Sequence, residues 1–314
     1  MMWTGIAAGL AAGALWGFAF IAPAALPGQS PLAVAIGRYL VYAALCALLL
    51  AREWRRVRAL ISGRLVRDAI VLGLIGNAFY YCLLTLAVRY ANSAVASLII
   101  GTIPLWLALI DLAHTPRSAA QRHALTLALL LPLSLVATGL VLINWAGLSQ
   151  LQAPQGFLIG VLLAVIAAAS WTAFAVFNAR VVRTLPTGFG NSNWTNLLGI
   201  GSALGFLPLL PFAGLAGGIP YTLTPALIAW SLLLGIGSSW VGSWLWNLAS
   251  QRLPVGLVGQ LIVAETVFAL IYGFVLGWRW PSGLELAAIG LFVAGVMLGI
   301  RAFSRAHAHT EPVH

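Results

Sequence analysis

The chain has 314 residues, of which 61% are hydrophobic and only 7% charged, with a formal net charge of +10. A soluble domain carries roughly a quarter charged residues, so this composition excludes a water-soluble fold. All sixteen basic residues other than histidine are arginines, and they cluster in a few short segments. That distribution fits the edges of a membrane protein rather than a nucleic-acid interface.

In a bilayer every backbone polar group must be satisfied internally, which leaves helices or a closed barrel. The apolar runs here are about twenty residues long, as spanning helices require; barrel strands need about ten with alternating polarity. The reading is an all-α polytopic membrane protein. In chain order the predicted spans are 4–24, 31–51, 68–88, 91–111, 124–144, 156–178, 192–212, 225–249, 255–277 and 282–302. The breaks carry turn residues: Pro27-Gly28-Gln29-Ser30-Pro31, His114-Thr115-Pro116-Arg117, Arg183-Thr184-Leu185-Pro186 and Trp280-Pro281-Ser282-Gly283. The first span ends near a cleavage-like Ala22-Pro23-Ala24, but no basic residue precedes it, so it reads as a true span.

Thirteen arginines fall on one side of this ten-span arrangement: Arg52, Arg55, Arg56, Arg58, Arg64, Arg67, Arg117, Arg122, Arg180, Arg183, Arg252, Arg301 and Arg305. Positive charge collects on the cytoplasmic side, which places both termini there in an inner (plasma) membrane. Arg89 and Arg279 lie on the other side, and Arg38 lies within a span. Segment 52–67 sets Trp54, Val57, Ile61 and Leu65 on one helical face among its arginines, as a helix on the lipid surface or as a solvated loop. Trp3, Trp54, Trp145, Trp278 and Trp280 sit at span ends and read as interfacial anchors. Cys46 and Cys82 lie within spans and give no support to a disulfide framework. Residues 304–314 are expected to form a disordered cytoplasmic tail.

The sequence is also written twice. Trp16 returns as Trp171 at an offset of 155. Leu72-Gly73 and Leu86-Ala87 return as Leu234-Gly235 and Leu248-Ala249 at 162, and Gly139 returns as Gly295 at 156. The halves are 1–148 and 149–303. Five spans in each force the second half into the membrane in the opposite sense, giving a 5+5 inverted repeat. Such repeats place substrate sites near the midplane, between the halves, and alternate access by exchanging conformations.

Residues four apart share a helix face. In the third span this gives Gly73, Asn77, Tyr81 and Thr85; at the offset of 162 the eighth gives Gly235, Ser239, Ser243 and Asn247. Two readings stand for these stripes: close helix packing, or a water-facing lining, which suits the larger polar groups of Asn77 and Tyr81. Gly5, Gly9, Gly13 and Gly17 form a ladder read as a tight helix contact, as do Gly295 and Gly299.

Ionisable groups inside a bilayer are functional suspects. Arg38 either anchors structurally, by snorkelling or by bonding helix carbonyls, or meets an anionic substrate group. Glu265 is a proton-coupling carboxylate, a counter-charge for a cation, or a neutral acid bonded to a neighbouring helix. Trp16, Tyr80, Tyr81, Trp106, Trp171, Trp240, Trp244 and Trp246 are deep aromatics suited either to lipid contact or to a lining that stacks on planar or cationic cargo. The candidate substrate-binding set is therefore Asn77, Tyr80, Tyr81, Trp16, Trp106, Trp171, Ser239, Ser243 and Trp244, with Arg38 and Glu265 as coupling or electrostatic groups. No catalytic or metal-binding constellation is found: there is no HExxH or GxSxG pattern, and the five histidines lie in a loop and the tail.

Several segments together resemble the drug/metabolite transporter superfamily, in its EamA-like ten-helix branch. They are Ala14-Leu15-Trp16-Gly17-Phe18-Ala19-Phe20, Gly37-Arg38-Tyr39, Thr102-Ile103-Pro104, Ala264-Glu265-Thr266-Val267-Phe268-Ala269 and the closing run Ile289–Val296, with Thr266 where the family usually has proline. The resemblance covers residues 4–302. It implies an inner-membrane transporter whose third, fourth, eighth and ninth helices enclose a central cavity, with no cofactor. Aromatic richness looks most like the family's exporters of aromatic amino acids and methyl viologen. The expectation is a monomeric exporter of small, aromatic metabolites working by alternating access, with membrane lipid and a small molecule as partners and no nucleic acid. The alternative cargo is a cationic drug or another metabolite, moved by proton coupling. An intramembrane enzyme and a channel are the other classes weighed.

Overall fold

The computed structural model describes residues 2–26, 28–29, 31–91, 93–149, 156–207 and 222–308. All regular structure in these residues is helical: α1 Met2–Ala25, α2 Pro31–Val57, α3 Gly63–Gly73, α4 Phe79–Ala91, α5 Ser93–Ile100, α6 Ile103–His114, α7 Ala119–Ser149, α8 Phe157–Arg183, α9 Gly190–Phe206, α10 Pro225–Leu232, α11 Gly242–Arg252, α12 Val255–Leu261, α13 Val263–Leu276 and α14 Gly283–Ala308. Nine helices or broken helices among the described residues are long and apolar enough to cross a membrane. The expected seventh span, 192–212, begins as the 17-residue α9, and residues 208–221 lie outside the described residues. α14 runs on to Ala308, into the segment expected as a tail, while residues 309–314 lie outside the described residues.

Four spans are interrupted. The third joins α3 to α4 through a π-helical stretch, Leu74–Ala78, and the eighth joins α10 to α11 through another, Leu233–Val241. The fourth breaks between α5 and α6, where Pro104 has no N–H to continue the ladder and the Thr102 Oγ1 bonds back to the Ile99 carbonyl at 2.6 Å. The ninth breaks at Ile262 between α12 and α13 without a proline, through three-residue turns (Ile262 N to Gly259 O, 3.3 Å; Glu265 N to Ile262 O, 2.9 Å). Thr266 therefore does not remove the break; it lies one turn earlier, after Gly259.

Segment 52–67 is neither a surface helix nor a loop. α2 continues to Val57, a short 3₁₀ turn covers Arg58–Leu60, and α3 starts after Ser62, which caps it by accepting from Leu65 N at 3.2 Å. Part of the apolar face packs on protein, while Trp54 stays exposed. Val57 and Leu65 are buried with Phe189 and Trp194, while the arginines around them are exposed. The five anchoring tryptophans are all strongly exposed, up to 96% for Trp278. Cys46 and Cys82 are free.

The packing is reciprocal. α1 lies against α11 and α13, and α8 lies against α4 and α5; α3 and α2 both pack on α9, and α2 also on α10; α7 pairs with α14. The glycine ladder is the predicted tight contact. A methyl group on Gly5, Gly9, Gly13 or Gly17 would come within about 3 Å of Leu253, Leu261, Ala264 or Ala269. A methyl on Gly139 would reach Phe292 and the Ala288 carbonyl, and one on Gly295 would reach Val136 and the Pro132 carbonyl. Likewise Gly5 abuts Leu253 while Gly160 abuts Ala91, and Gly73 abuts Ser202 while Gly235 abuts Val41. The largest core cluster runs along α1, α6, α8, α11, α12 and α14.

Candidate functional site

The two polar stripes pack against neighbouring helices. On the third span Gly73 meets Gly201 and Ser202 of α9, the Asn77 Nδ2 donates to Ser202 Oγ at 2.9 Å, and the Tyr81 ring lies 6.5 Å from Phe206. The Tyr39 hydroxyl donates to Asn77 Oδ1 at 3.3 Å. The Thr85 side chain lies outside what is described. On the eighth span Gly235 meets Val41 and Arg38 of α2, and Ser239 Oγ accepts from Arg38 Nε at 2.7 Å. Ser243 approaches the Tyr42 hydroxyl. Asn247 is buried in a closed network: Trp194 Nε1 donates to Asn178 Oδ1 (2.8 Å), Asn178 Nδ2 to Asn247 Oδ1 (2.7 Å), and Asn247 Nδ2 to Thr195 Oγ1 (3.0 Å). The π stretches hold Asn77 and Ser239 in these contacts; each inserts extra backbone per turn and re-aims the residues after it.

The aromatics divide. Trp16, Trp171 and Trp246 form a three-ring cluster, with centroids 6.3 Å (Trp16–Trp171), 5.2 Å (Trp16–Trp246) and 5.5 Å (Trp171–Trp246) apart. The Trp16 Nε1 donates to the Ser238 carbonyl at 2.9 Å, which fixes α1 on the π stretch of the eighth span. Trp244 Nε1 donates to Ser192 Oγ at 3.1 Å, towards the start of α9. Trp106 is half-buried on α6, and nothing brings it to the other candidates. Sequence reading missed Tyr39 and Ser202, the partners of Asn77; a tyrosine and a serine inside apolar spans were the available signals.

A separate group surrounds the two intramembrane charges. Glu265 begins α13, a methyl on Gly13 of α1 would lie 3.0 Å from its backbone N, and its carboxylate is half-buried with no hydrogen bond or ion pair among the described residues. It lies within electrostatic reach of Arg38 without forming an ion pair, and both lie within reach of the Tyr80 hydroxyl. The Arg38 guanidinium is 5.4 Å from the Tyr39 ring. Its Nε is taken by Ser239, and its terminal nitrogens have no acceptor among the described residues. Arg38, Tyr80 and Glu265, from α2, α4 and α13, lie within electrostatic range of one another without direct contact, whereas the Trp16–Trp171 pair belongs to the core. No group of three or more possible metal ligands occurs among the described residues.

A bundle of broken, closely packed membrane helices with two charged side chains inside it is the architecture of a polytopic membrane protein. The chain matches the EamA-like transporter family over residues 3–145 and 158–301, and it belongs to that family. It is a membrane transporter of small molecules, not an enzyme. It is 31% identical over 324 residues, covering 96% of each chain, to the inner membrane protein YtfF of Escherichia coli (strain K12). A solved crystal structure at 21% identity superposes with a TM-score of 0.71, covering 97% of this chain and 100% of that one, and shares the fold.

Proposed function

We propose that the protein exports small, aromatic metabolites, aromatic amino acids above all, from the cytoplasm across the inner membrane by alternating access. The observation that carries this reading is the pair of charged groups Arg38 and Glu265: among the described residues Glu265 has no hydrogen-bond or ion-pair partner and the terminal nitrogens of Arg38 have no acceptor, while the two lie within electrostatic reach of each other. Unpaired charges inside a bilayer cost several kcal/mol and are kept for function. A zwitterionic head group matches the couple, its carboxylate on Arg38 and its ammonium on Glu265, with Tyr80 beside them for an aromatic side chain. The inner-membrane placement follows YtfF, and the aromatic cargo follows the likeness to the aromatic amino acid and methyl viologen exporter YddG.

The architecture in this proposal is ten spans in two inverted halves, 1–148 and 149–303, as a monomer with both termini in the cytoplasm. Supporting it, the family pattern matches in two successive stretches. The close approaches also exchange at the sequence offsets: Gly139 with Phe292 and Gly295 with Val136 at 156, and Gly5 with Leu253 and Gly160 with Ala91 at 155 and 162. Arg38 belongs to the first half and Glu265 to the second, so the cargo sits between the halves, as inverted repeats favour.

Liposomes containing only this protein test the cargo. Loaded with unlabelled tryptophan, they should accumulate labelled tryptophan or phenylalanine by counterflow, and absence of counterflow refutes the substrate assignment. A second reading keeps the site and changes the cargo to a cationic drug moved against protons, favoured by the partnerless Glu265 carboxylate. Under it methyl viologen competes with flux, and Glu265→Gln abolishes flux driven by a pH gradient.

A further inference from the structure

At the arginine-rich end of the bundle, a cleft of about 590 Å³ opens along the α7–α14 pair. Its walls are apolar, with Ala124, Ala128, Leu131 and Leu298 among them, and its mouth carries Arg301 and Arg305. Arg117 also lines it and is already ion-paired to Asp111 at 2.7 Å. No carboxylate lines the cleft, and neither Arg301 nor Arg305 has a carboxylate partner among the described residues. Both are exposed, as are Leu127, Leu130 and Leu131 on the same side of α7, so the cleft opens outward to the surroundings of the bundle rather than into the core.

Two unpaired guanidiniums one helical turn apart, above an apolar trough, match one chemistry: an anionic head group with a hydrocarbon chain attached. Guanidiniums bind phosphate with paired, charge-assisted hydrogen bonds, and basic pockets between membrane helices on the cytoplasmic side hold anionic phospholipid head groups. Pro132 lines the trough, and its carbonyl lies against Gly295 where α7 and α14 approach closely. We propose that this cleft is a binding site for an anionic phospholipid of the cytoplasmic leaflet, its phosphate on Arg301 and Arg305 and an acyl chain along Leu131 and Leu298. The site is remote in sequence and in packing from the Arg38–Glu265 couple, and it does not rest on the identity of the cargo.

The test is native mass spectrometry of the full-length protein, delipidated in detergent and titrated with phosphatidylglycerol or, in parallel, phosphatidylcholine. About one phosphatidylglycerol is expected to remain bound under conditions that strip phosphatidylcholine. The Arg301→Gln/Arg305→Gln double variant is expected to bind it roughly 30-fold more weakly, the worth of two arginines at an anionic surface. Arg117 is left intact so that Asp111 keeps its partner, and a Leu131→Trp variant, filling the trough without touching charge, should also weaken retention. Equal retention of both lipids, or unchanged retention in the double variant, overturns the proposal. So does displacement of the lipid by glycerol phosphate at similar concentration, which marks a site for a free anion, or closure of the cleft by a second copy of the chain in the mass spectrum.

Discussion

Asp111→Ala is expected to destabilise the protein by about 3 kcal/mol, the lower end of the range for breaking a buried ion pair. Asp111 and Arg117 side chains are 3% and 5% exposed, with Arg117 Nη2 2.7 Å from Asp111 Oδ2. The Thr115 hydroxyl also donates to Asp111 Oδ1 at 3.2 Å. Removing the carboxylate leaves a buried guanidinium whose remaining acceptor is the Asp111 carbonyl at 3.0 Å. That surviving bond is why the expected cost lies at the lower end. The nearby Arg183 loses the same neighbouring carboxylate. Thermal and denaturant unfolding in detergent should show the loss, and Asp111→Ala/Arg117→Ala should recover part of it, because the double change leaves no orphaned charge. A single-variant loss below about 1 kcal/mol, the value typical of solvent-exposed pairs, refutes the buried-pair reasoning.

On α11 two polar residues one turn apart should behave oppositely. Asn247→Ala strands the Asn178 amide and should cost about 1 to 3 kcal/mol, whereas Ser250→Ala, removing a buried hydroxyl without a partner, should be neutral or stabilising by melting temperature. Leucine at Gly139 and at Gly295 should each cost about 1 to 3 kcal/mol by overpacking the α7–α14 contact, and strongly unequal losses on unfolding would count against the reciprocal packing. Arg38→Gln should raise the counterflow half-saturation for tryptophan about 10- to 100-fold, as loss of a charged hydrogen bond to the carboxylate would, while tryptamine, which lacks that carboxylate, should be affected far less.

Nine of the ten expected span positions were legible because twenty-residue apolar runs admit few other readings, and the glycine ladder because side chains at Gly13 and Gly17 would press on the backbone of Glu265 and Ala269. The stripes were legible as residues but not in role. A four-residue spacing assumes an unbroken α-helix, and no residue type announces a π turn, so the step that aims Asn77 at Ser202 and Ser239 at Arg38 had no sequence signal. The break at Ile262 was hidden for the same reason: a helix can end on three-residue turns without proline. Segment 52–67 was legible only in part, because an apolar face fits lipid and protein equally well by composition. Burial of Val57 and Leu65 against Phe189 and Trp194 follows from residues more than a hundred positions away, which composition cannot show.

The proposed two-fold relation also separates what stays fixed from what discriminates. Trp16 and Trp171 are counterparts at an offset of 155 and touch each other, so they straddle the axis; α7 and α14 meet across it in the same way. When two halves exchange conformations, contacts on the axis are the ones preserved, which assigns these tryptophans to a pivot rather than to the cargo. The charged couple has no such symmetry. The offset that pairs Val41 with Ser202 sets Gly199 opposite Arg38, and the offset of 162 sets Ile103 opposite Glu265. Under the proposed alternating access, exchange of conformations would open the site to alternate sides without creating a second charged couple. In the proposed cycle one head-group site, made jointly by α2 and α13, therefore serves both orientations.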